Sequence, residues 1–269
     1  MWSWMREGAA LSLWWGDSGV WQAAEPGQAV RWDGLEAWCA AHPGARARLW
    51  LSAWWVLDML IDGALPLHDD AAVLAYVRPL LQHYHGDAAA PWPLAAWQAG
   101  AARGVSALHG QPLAELQATA ARHGVQLQAV QPWWARAMRL ALAQEPSLLR
   151  EPAAQLVMVE GRLVTRLDLR RGSLVGLQQR RLPQATPGAL QAWLANEPVA
   201  VQRCLGYGLD VQAGASHPAL PLLGGAAGRA TLSGDHPPPA WWADTPRGGA
   251  HWVGRWAGRQ AAAVPPPRA

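Results

Sequence analysis

The sequence predicts an α/β fold laid out twice along the chain, followed by a tail of different composition. Three observations carry this. Residues 113–134, LAELQATAARHGVQLQAVQPWW, read as helix, glycine stop, strand and the start of the next helix. The order of elements up to this point, β-β-β-α-β-α-β-α, is followed by a shorter run, β-β-β-α-β. From about residue 213, Gly, Pro and Ala dominate and hydrophobic periodicity vanishes.

The first elements are short and extended. Leu11–Trp15 reads as a strand, Gly16-Asp17-Ser18-Gly19 as a hairpin turn, and Val20–Ala23 as the returning strand. Gln28–Trp32 supplies a third strand. Asp33 is placed to cap a short helix that runs to His42 and stops at Pro43-Gly44. Arg46–Trp55 alternates as one strand, with Leu49, Leu51 and Ala53 on one side and Trp50 and Trp54 on the other.

Asp69-Asp70 opens a helix through Tyr84, with Val73, Val77, Leu80 and Leu81 as its buried stripe and Gly86 as its stop. Pro79 lies inside this helical pattern. It removes a helix hydrogen bond, so a kink or an early end is expected there. Ala95–Gln98 and Gly104–Leu108 are short extended pieces, an interrupted hairpin or an edge strand.

In 113–134, Leu113, Leu116, Ala120 and Ala121 share one helical stripe, and Gly124 stands where a helix end wants a left-handed residue. Val125, Leu127 and Ala129 then alternate with Gln126, Gln128 and Val130, so the strand has one cleaner apolar face. Pro132 suits the first position of the following helix, 133–144, where its missing N–H is not needed.

The second run begins as a β-meander: Gln155–Val159, Arg162–Leu169 and Leu174–Gln179, with Glu160-Gly161 and Arg171-Gly172 as turns. Thr186 caps a helix through Ala195 with Pro187 in its first turn. Val199–Leu205 is the last strand. The expected organisation is therefore a first half over 1–145, a second, smaller half over 146–212, and a Gly/Pro/Trp-rich, largely disordered tail over 213–269.

Composition narrows the function classes. Half of the 269 residues are hydrophobic and only 15 % are charged, so the body of the chain can bury a sizeable core. Lys and Phe are absent, Ile61 is the only Ile and Asn196 the only Asn, the mark of a very GC-rich coding sequence. The 19 tryptophans accordingly stand in for phenylalanine as bulky core residues. The net charge is +3 and its positive residues are scattered arginines, with Arg170-Arg171 and Arg180-Arg181 the only doublets. That is too sparse for a nucleic-acid footprint.

Cys39 and Cys204 form no CxxC and fit a reducing compartment better than a disulfide framework. No signal peptide is evident. The longest apolar run, Leu49–Ile61, is short of the ~20 residues a membrane span needs and contains Asp58.

No constellation declares a chemistry. Gly16-Asp17-Ser18-Gly19 resembles the tetrapeptide around the nucleophile of trypsin-like proteases. That motif needs a histidine and an aspartate upstream, and almost nothing precedes residue 16. His83 and His85 are two apart, whereas helical ligand pairs sit three or four apart. Asp69-Asp70 is what a helix start favours. Ser106, His109 and Asp87 are not brought together by their spacing. GxSxG, Walker, GxGxxG and HExxH motifs are absent.

The element order, carried by ARLWLSAWW with the helix after it, ATAARHGVQLQAVQPWW and LVMVEGRLVTRLDLRRGSLVGLQQRR, resembles that of actin-like (ribonuclease H-like) ATPase domains. It is most similar to the divergent, often nucleotide-free actin-like proteins of bacterial type IV pilus and type II secretion platforms, the PilM and GspL kinds. The resemblance implies two duplicated ββαβαβ halves, the second abbreviated. It also implies two phosphate-gripping hairpin loops, in which backbone N–H groups face a nucleotide. Asp17, Ser18 and Gly19 fall where the first loop belongs, and Asp168, Gly172 and Ser173 where the second does.

In the second loop Leu169-Arg170-Arg171 replace the small residues that let a phosphate approach. Only Gly206 and Gly208 stand where an adenosine-clamping Gly-Gly belongs. The expectation is a non-catalytic scaffold with no cofactor, ATP being the one ligand the resemblance offers. It would lie in the cytoplasm, at the periphery of the inner membrane, with protein partners such as an inner-membrane assembly protein and no nucleic acid. Two other readings stand beside it. One is an α/β enzyme whose Asp17, Asp58, Asp62, His83 and His109 converge in a cleft. The other is an interaction module whose anchors are the tail tryptophans Trp241, Trp242, Trp252 and Trp256.

Overall fold

The computed structural model describes residues 10–23, 29–110, 113–195 and 201–210. The tail, with Trp241, Trp242, Trp252 and Trp256, lies outside the described residues.

The first sheet is built from β1 (Leu11–Gly16), β2 (Gly19–Ala23), β3 (Ala29–Trp32), β4 (Arg46–Leu51) and β8 (Gln126–Pro132) in the order β3-β2-β1-β4-β8. β1 pairs antiparallel with β2, and β4 runs parallel to both β1 and β8. The second sheet repeats the plan with one strand fewer. It comprises β9 (Ala154–Glu160), β10 (Leu163–Arg170), β11 (Ser173–Arg181) and β12 (Val201–Tyr207), in the order β11-β10-β9-β12, with β9 and β12 parallel. β9 therefore corresponds to β1, β10 to β2 and β12 to β4.

Strand alternation decides the layers, because neighbouring side chains leave a strand on opposite faces. Leu13, Leu49 and Leu51 turn toward α1 (Leu35–Ala41) and α3 (Leu113–Arg122), where they meet Trp38 and Leu116. Trp14 and Trp50 turn the other way. They pack with Trp133, Trp134 and Ala137 of α4 (Trp133–Gln144) and with Leu156, Met158 and Leu167 of the second sheet. Val157 and Val159 leave the far side of that sheet, under Leu190, Trp193 and Leu194 of α5 (Pro187–Leu194). Tryptophan is thus the main filling between the two sheets.

A third unit interrupts the first half between β4 and α3. It holds β5 (Val56–Ile61), α2 (Asp70–His85), β6 (Leu94–Ala99) and β7 (Ala102–Leu108), with strand order β5-β7-β6. Val73, Val77 and Leu81 of α2 rest on Ile61, Val105 and Ala107. The sequence predicts one strand over 46–55. The chain instead leaves the sheet after Leu51, turns through Ser52–Trp55 and starts β5. The helix and hairpin expected inside the first half thus belong to this separate sheet.

Other expectations change in detail. α2 runs on through Pro79, because Pro79 and Ala75, whose carbonyl loses its donor, both lie on the exposed face where water replaces the bond. Asp69 caps α2 as expected, accepting from Ala72 N at 2.7 Å. Asp33 does not cap α1, whose N-cap is Gly34 with no side-chain bond. Pro132 is the N-cap of α4 and the last residue of β8, one position earlier than predicted.

Gly124 ends α3 at φ 68°, and Thr186 caps α5 through Ala189 N at 3.3 Å, both as read from sequence. The register between β4 and β8 shifts between Ala47 and Arg48, whose partners are Leu127 and Ala129. Leu127 lies opposite Ala47 and Val130 opposite Leu49, and the two share the core face. Simple alternation put Val130 on the polar side; the bulge reverses it.

Candidate functional site

The two halves meet where β1 and β4 end and where β9 and β12 end. β1 closes in the Asp17-Ser18 turn. Arg31 holds this turn by donating from Nε (2.9 Å) and Nη2 (2.5 Å) to Ser18 O, and the Trp55 indole donates to Gly16 O at 2.9 Å. Gly16 and Gly19 are required by crowding. A Cβ at Gly16 would sit 2.1 Å from the Trp14 ring, and one at Gly19, which has φ 136°, would sit 2.4 Å from Trp32 O. The space above the end of β1 is therefore taken by Trp14, whose ring meets Tyr207 edge-on at 5.4 Å.

By the strand correspondence, the counterpart of the Asp17-Ser18 turn is the β9–β10 turn at Gly161-Arg162. β9 delivers Glu160 to this point at the end of an apolar strand, QLVMVE. Glu160 is 1 % exposed, and its Oε2 accepts from Ala53 N, in the turn after β4, at 2.9 Å. Gly161 N donates to Tyr207 O at 2.9 Å, tying this turn to β12. Burial pushes the Glu160 carboxyl up to about 7. The negative charge of Asp17 adds to this, while Ser52, the Ala53 N–H and Trp133 oppose it. Glu160 Oε1 and the Tyr207 hydroxyl have no hydrogen-bond partner among the described residues. Burial and the charges of Glu160 and Asp17 raise the Tyr207 phenol well above its ordinary value.

A second polar clasp joins the inserted sheet to the second half. Asp58 of β5 donates its N–H to Gln179 Oε1 at 2.9 Å, and Gln179 Nε2 donates to Asp58 Oδ2 and to Val56 O, both at 3.2 Å. The Ser106 hydroxyl of β7 donates to Asp58 Oδ1. Asp58 is 6 % exposed, and burial pushes its carboxyl up to about 6 against the hydrogen bonds that favour its charge. Arg181, two residues after Gln179, lies over the Trp54 ring at 5.0 Å. Two buried acids, one on each side of the seam, thus hold the halves and the insertion together.

Asp17, Ser18 and Gly19 lie at this seam. Asp168, Gly172 and Ser173 do not join them: they stand around the β10–β11 turn, at the opposite end of the second sheet. There Asp168 pairs with the buried Arg166 (Nε to Oδ1, 3.2 Å), and Gly172 leaves room for Leu149.

The five residues of the enzyme reading sit in separate surroundings. Asp58 is in the clasp, Asp62 accepts from Ala64 N at 2.9 Å, and His83 is exposed on α2 beside Tyr84. The His109 ring lies 5.4 Å from that of Trp92, tilted by 41°, with its pKa lowered by burial and by His85. Among the described residues no group of three His, Cys, Asp or Glu could hold a metal ion. A pocket of about 460 Å³ lies in the insertion between Ile61–His68, Val73 and Arg103. Arg103 is spent there on Leu67 O (2.6 Å) and Asp70 (3.0 Å). Sequence reasoning weighed Ser106 only with His109 and Asp87, read Glu160 as a turn residue, and missed Tyr207 and Gln179. The one visible signal was a lone acid in each of two apolar runs, Asp58 and Glu160.

No family model matches the chain, and no curated protein does. Solved structures do. A chain of the PilM–PilN type IV pilus biogenesis complex aligns with a TM-score of 0.51 at 14 % identity, over 74 % of this chain and 81 % of that one. A Bacteroides thetaiotaomicron protein with an actin-like ATPase fold and unknown function gives a TM-score of 0.48 at 9 % identity, over 76 % and 83 %. The cytoplasmic domain of EpsL, an inner-membrane component of the Vibrio cholerae type II secretion system, gives 0.48 at 13 % identity, over 86 % and 91 %. The fold is actin-like, as the element order implied. No helix among the described residues is long and apolar enough to cross a membrane.

Proposed function

We propose that this chain is a non-catalytic actin-like scaffold in the assembly of a pilus or a secretion-type machine. It would work in the cytoplasm against protein partners at the inner membrane. Its working body would be the two halves, 1–145 and 146–212. The observation that carries the silent part is the filling of the seam. Where an actin-like ATPase would open two hairpin turns to a nucleotide, Trp133 and Tyr207 border a carboxyl that is 1 % exposed, and Trp14 packs edge-on against Tyr207. A phosphate needs backbone N–H groups in reach and room to approach them. Here the Ala53 N–H is already taken by the buried Glu160 carboxyl, which occupies the place from which a phosphate would reach it. The shared fold with a chain of a pilus biogenesis complex supports the assembly part.

Two measurements test this. Titration of the purified chain with ATP and Mg²⁺ should show neither binding nor hydrolysis at millimolar nucleotide. Hydrolysis that disappears in Asp17→Ala would overturn the silent reading. Deleting the gene in its host should abolish surface pili or secreted protein, and an Asp17→Ala copy should restore them. A deletion strain that keeps both would sink the scaffold role.

A further inference from the structure

The β10–β11 turn carries a surface that the seam does not explain. Its two-residue loop is Arg171-Gly172, closing the Arg170–Ser173 pair, with both residues at positive φ (49° and 72°). Such a loop favours Asn, Asp or Gly at its first position. Arg171 is the one described non-glycine residue at positive φ. The loop is tied to the short helix before β9: Arg171 N donates to Glu151 O at 2.9 Å, and Leu149 packs against Gly172.

This juxtaposition sets Leu149 and Arg150 beside the Arg170–Ser173 turn, with Val175 two residues further along β11, and Arg150, Arg170 and Arg171 are all exposed. Leu149 and Val175 are left 47 % and 48 % exposed. Two acids border the patch: Glu151, which is half-buried, and Asp168, whose carboxylate lies against Gly176 and is paired with the buried Arg166. The other arginine doublet, Arg180-Arg181, stands at the far end of the same hairpin, where Arg181 lies over Trp54. An eight-residue strand separates the two ends by about 26 Å. That is several times the screening length of about 8 Å at physiological salt, so the two doublets act independently.

We propose that the Arg150/Arg170/Arg171 tip, with Leu149 and Val175, is a docking surface for an anionic lipid bilayer. Guanidinium groups meet the negative headgroup layer, and the two aliphatic side chains enter the interface beside them. Exposed aliphatic residues between the arginines favour lipid over nucleic acid, which offers them no apolar phase. The surface is local, and its test does not depend on whether the chain scaffolds a pilus.

The test is co-sedimentation of the full chain with vesicles at physiological salt. Phosphatidylglycerol vesicles should bind it and pure phosphatidylcholine vesicles should not. At about fivefold per arginine, Arg170→Ala/Arg171→Ala should weaken binding about twenty-five-fold, and Arg180→Ala/Arg181→Ala by less than about twofold. Arg171→Gly removes the charge while relaxing the turn. It should bind about fivefold more weakly and melt no lower than the parent, which separates docking from folding. Equal losses from the two doublets, no binding to phosphatidylglycerol, or binding to duplex DNA lost with the same doublet would each overturn the proposal.

Discussion

Replacing Glu160 with Gln should remove a large pH dependence from the stability of this fold. The carboxyl sits at about 7 in the folded chain, against 4.5 ordinarily. A group with a raised folded pKa binds its proton more tightly when folded. Its contribution is therefore fully present below about pH 4.5 and is lost as pH rises through about 7. At about 1.4 kcal/mol per pH unit, that gap corresponds to about 3 kcal/mol.

Gln keeps an oxygen for the Ala53 N–H and cannot ionise, so the native contact survives while the linkage disappears. Urea unfolding of both proteins at pH 4.5, 6 and 8 measures it. The difference between variant and parent should grow by about 3 kcal/mol across that range, in favour of Glu160→Gln. In melting temperature this is roughly 6–12 °C for a chain of this size. A constant difference at all three pH values would refute the argument, because it would mean that Glu160 is already ionised in the folded seam. Near-zero stability of the variant throughout would refute it too.

Asp58→Asn should show the same sign with a lower window. Asp58 sits at about 6 against 3.8, so its contribution is lost between about pH 4 and 6, and unfolding against pH reads it. Gln179→Ala breaks the clasp between β5 and β11 and should cost about 1–3 kcal/mol. A double-mutant cycle with Asp58→Asn should give a coupling above about 0.5 kcal/mol. Trp14→Ala opens a hole between Gly16 and Tyr207 and should cost about 3–5 kcal/mol in denaturant unfolding. Cys39 and Cys204 are 0 % exposed with thiols pushed up to about 11 and about 12, so a thiol reagent at pH 8 should label neither until the chain unfolds.

The element order was legible because local rules and tertiary structure agree there. Gly124 ends α3, Thr186 caps α5, and Arg171-Gly172 closes a hairpin, each for reasons contained within a few residues. The insertion was less legible. Leu49–Ile61 is one apolar run, and nothing in its period shows that the chain changes sheets at Ser52. The β8 bulge was invisible for a similar reason. Alternation assumes an unbroken register, and only pairing with β4 shows that Leu127 and Val130 share a face.

The seam was the least legible part. The sequence determined two β-meander halves, their caps and turns, and a chain rich enough in tryptophan to fill a core without phenylalanine. It could not determine which hairpin of the second half opposes the Asp17 turn. That assignment depends on which strands are central in each sheet, a matter of pairing between residues far apart in the chain. Tertiary structure put Glu160 at the seam, sent Asp168, Gly172 and Ser173 to the other end of the sheet, and set Asp58 against Gln179 across 121 residues. The physical reason is desolvation: an acid in an apolar run costs little until a second sheet closes over it, and only the folded chain shows what covers it.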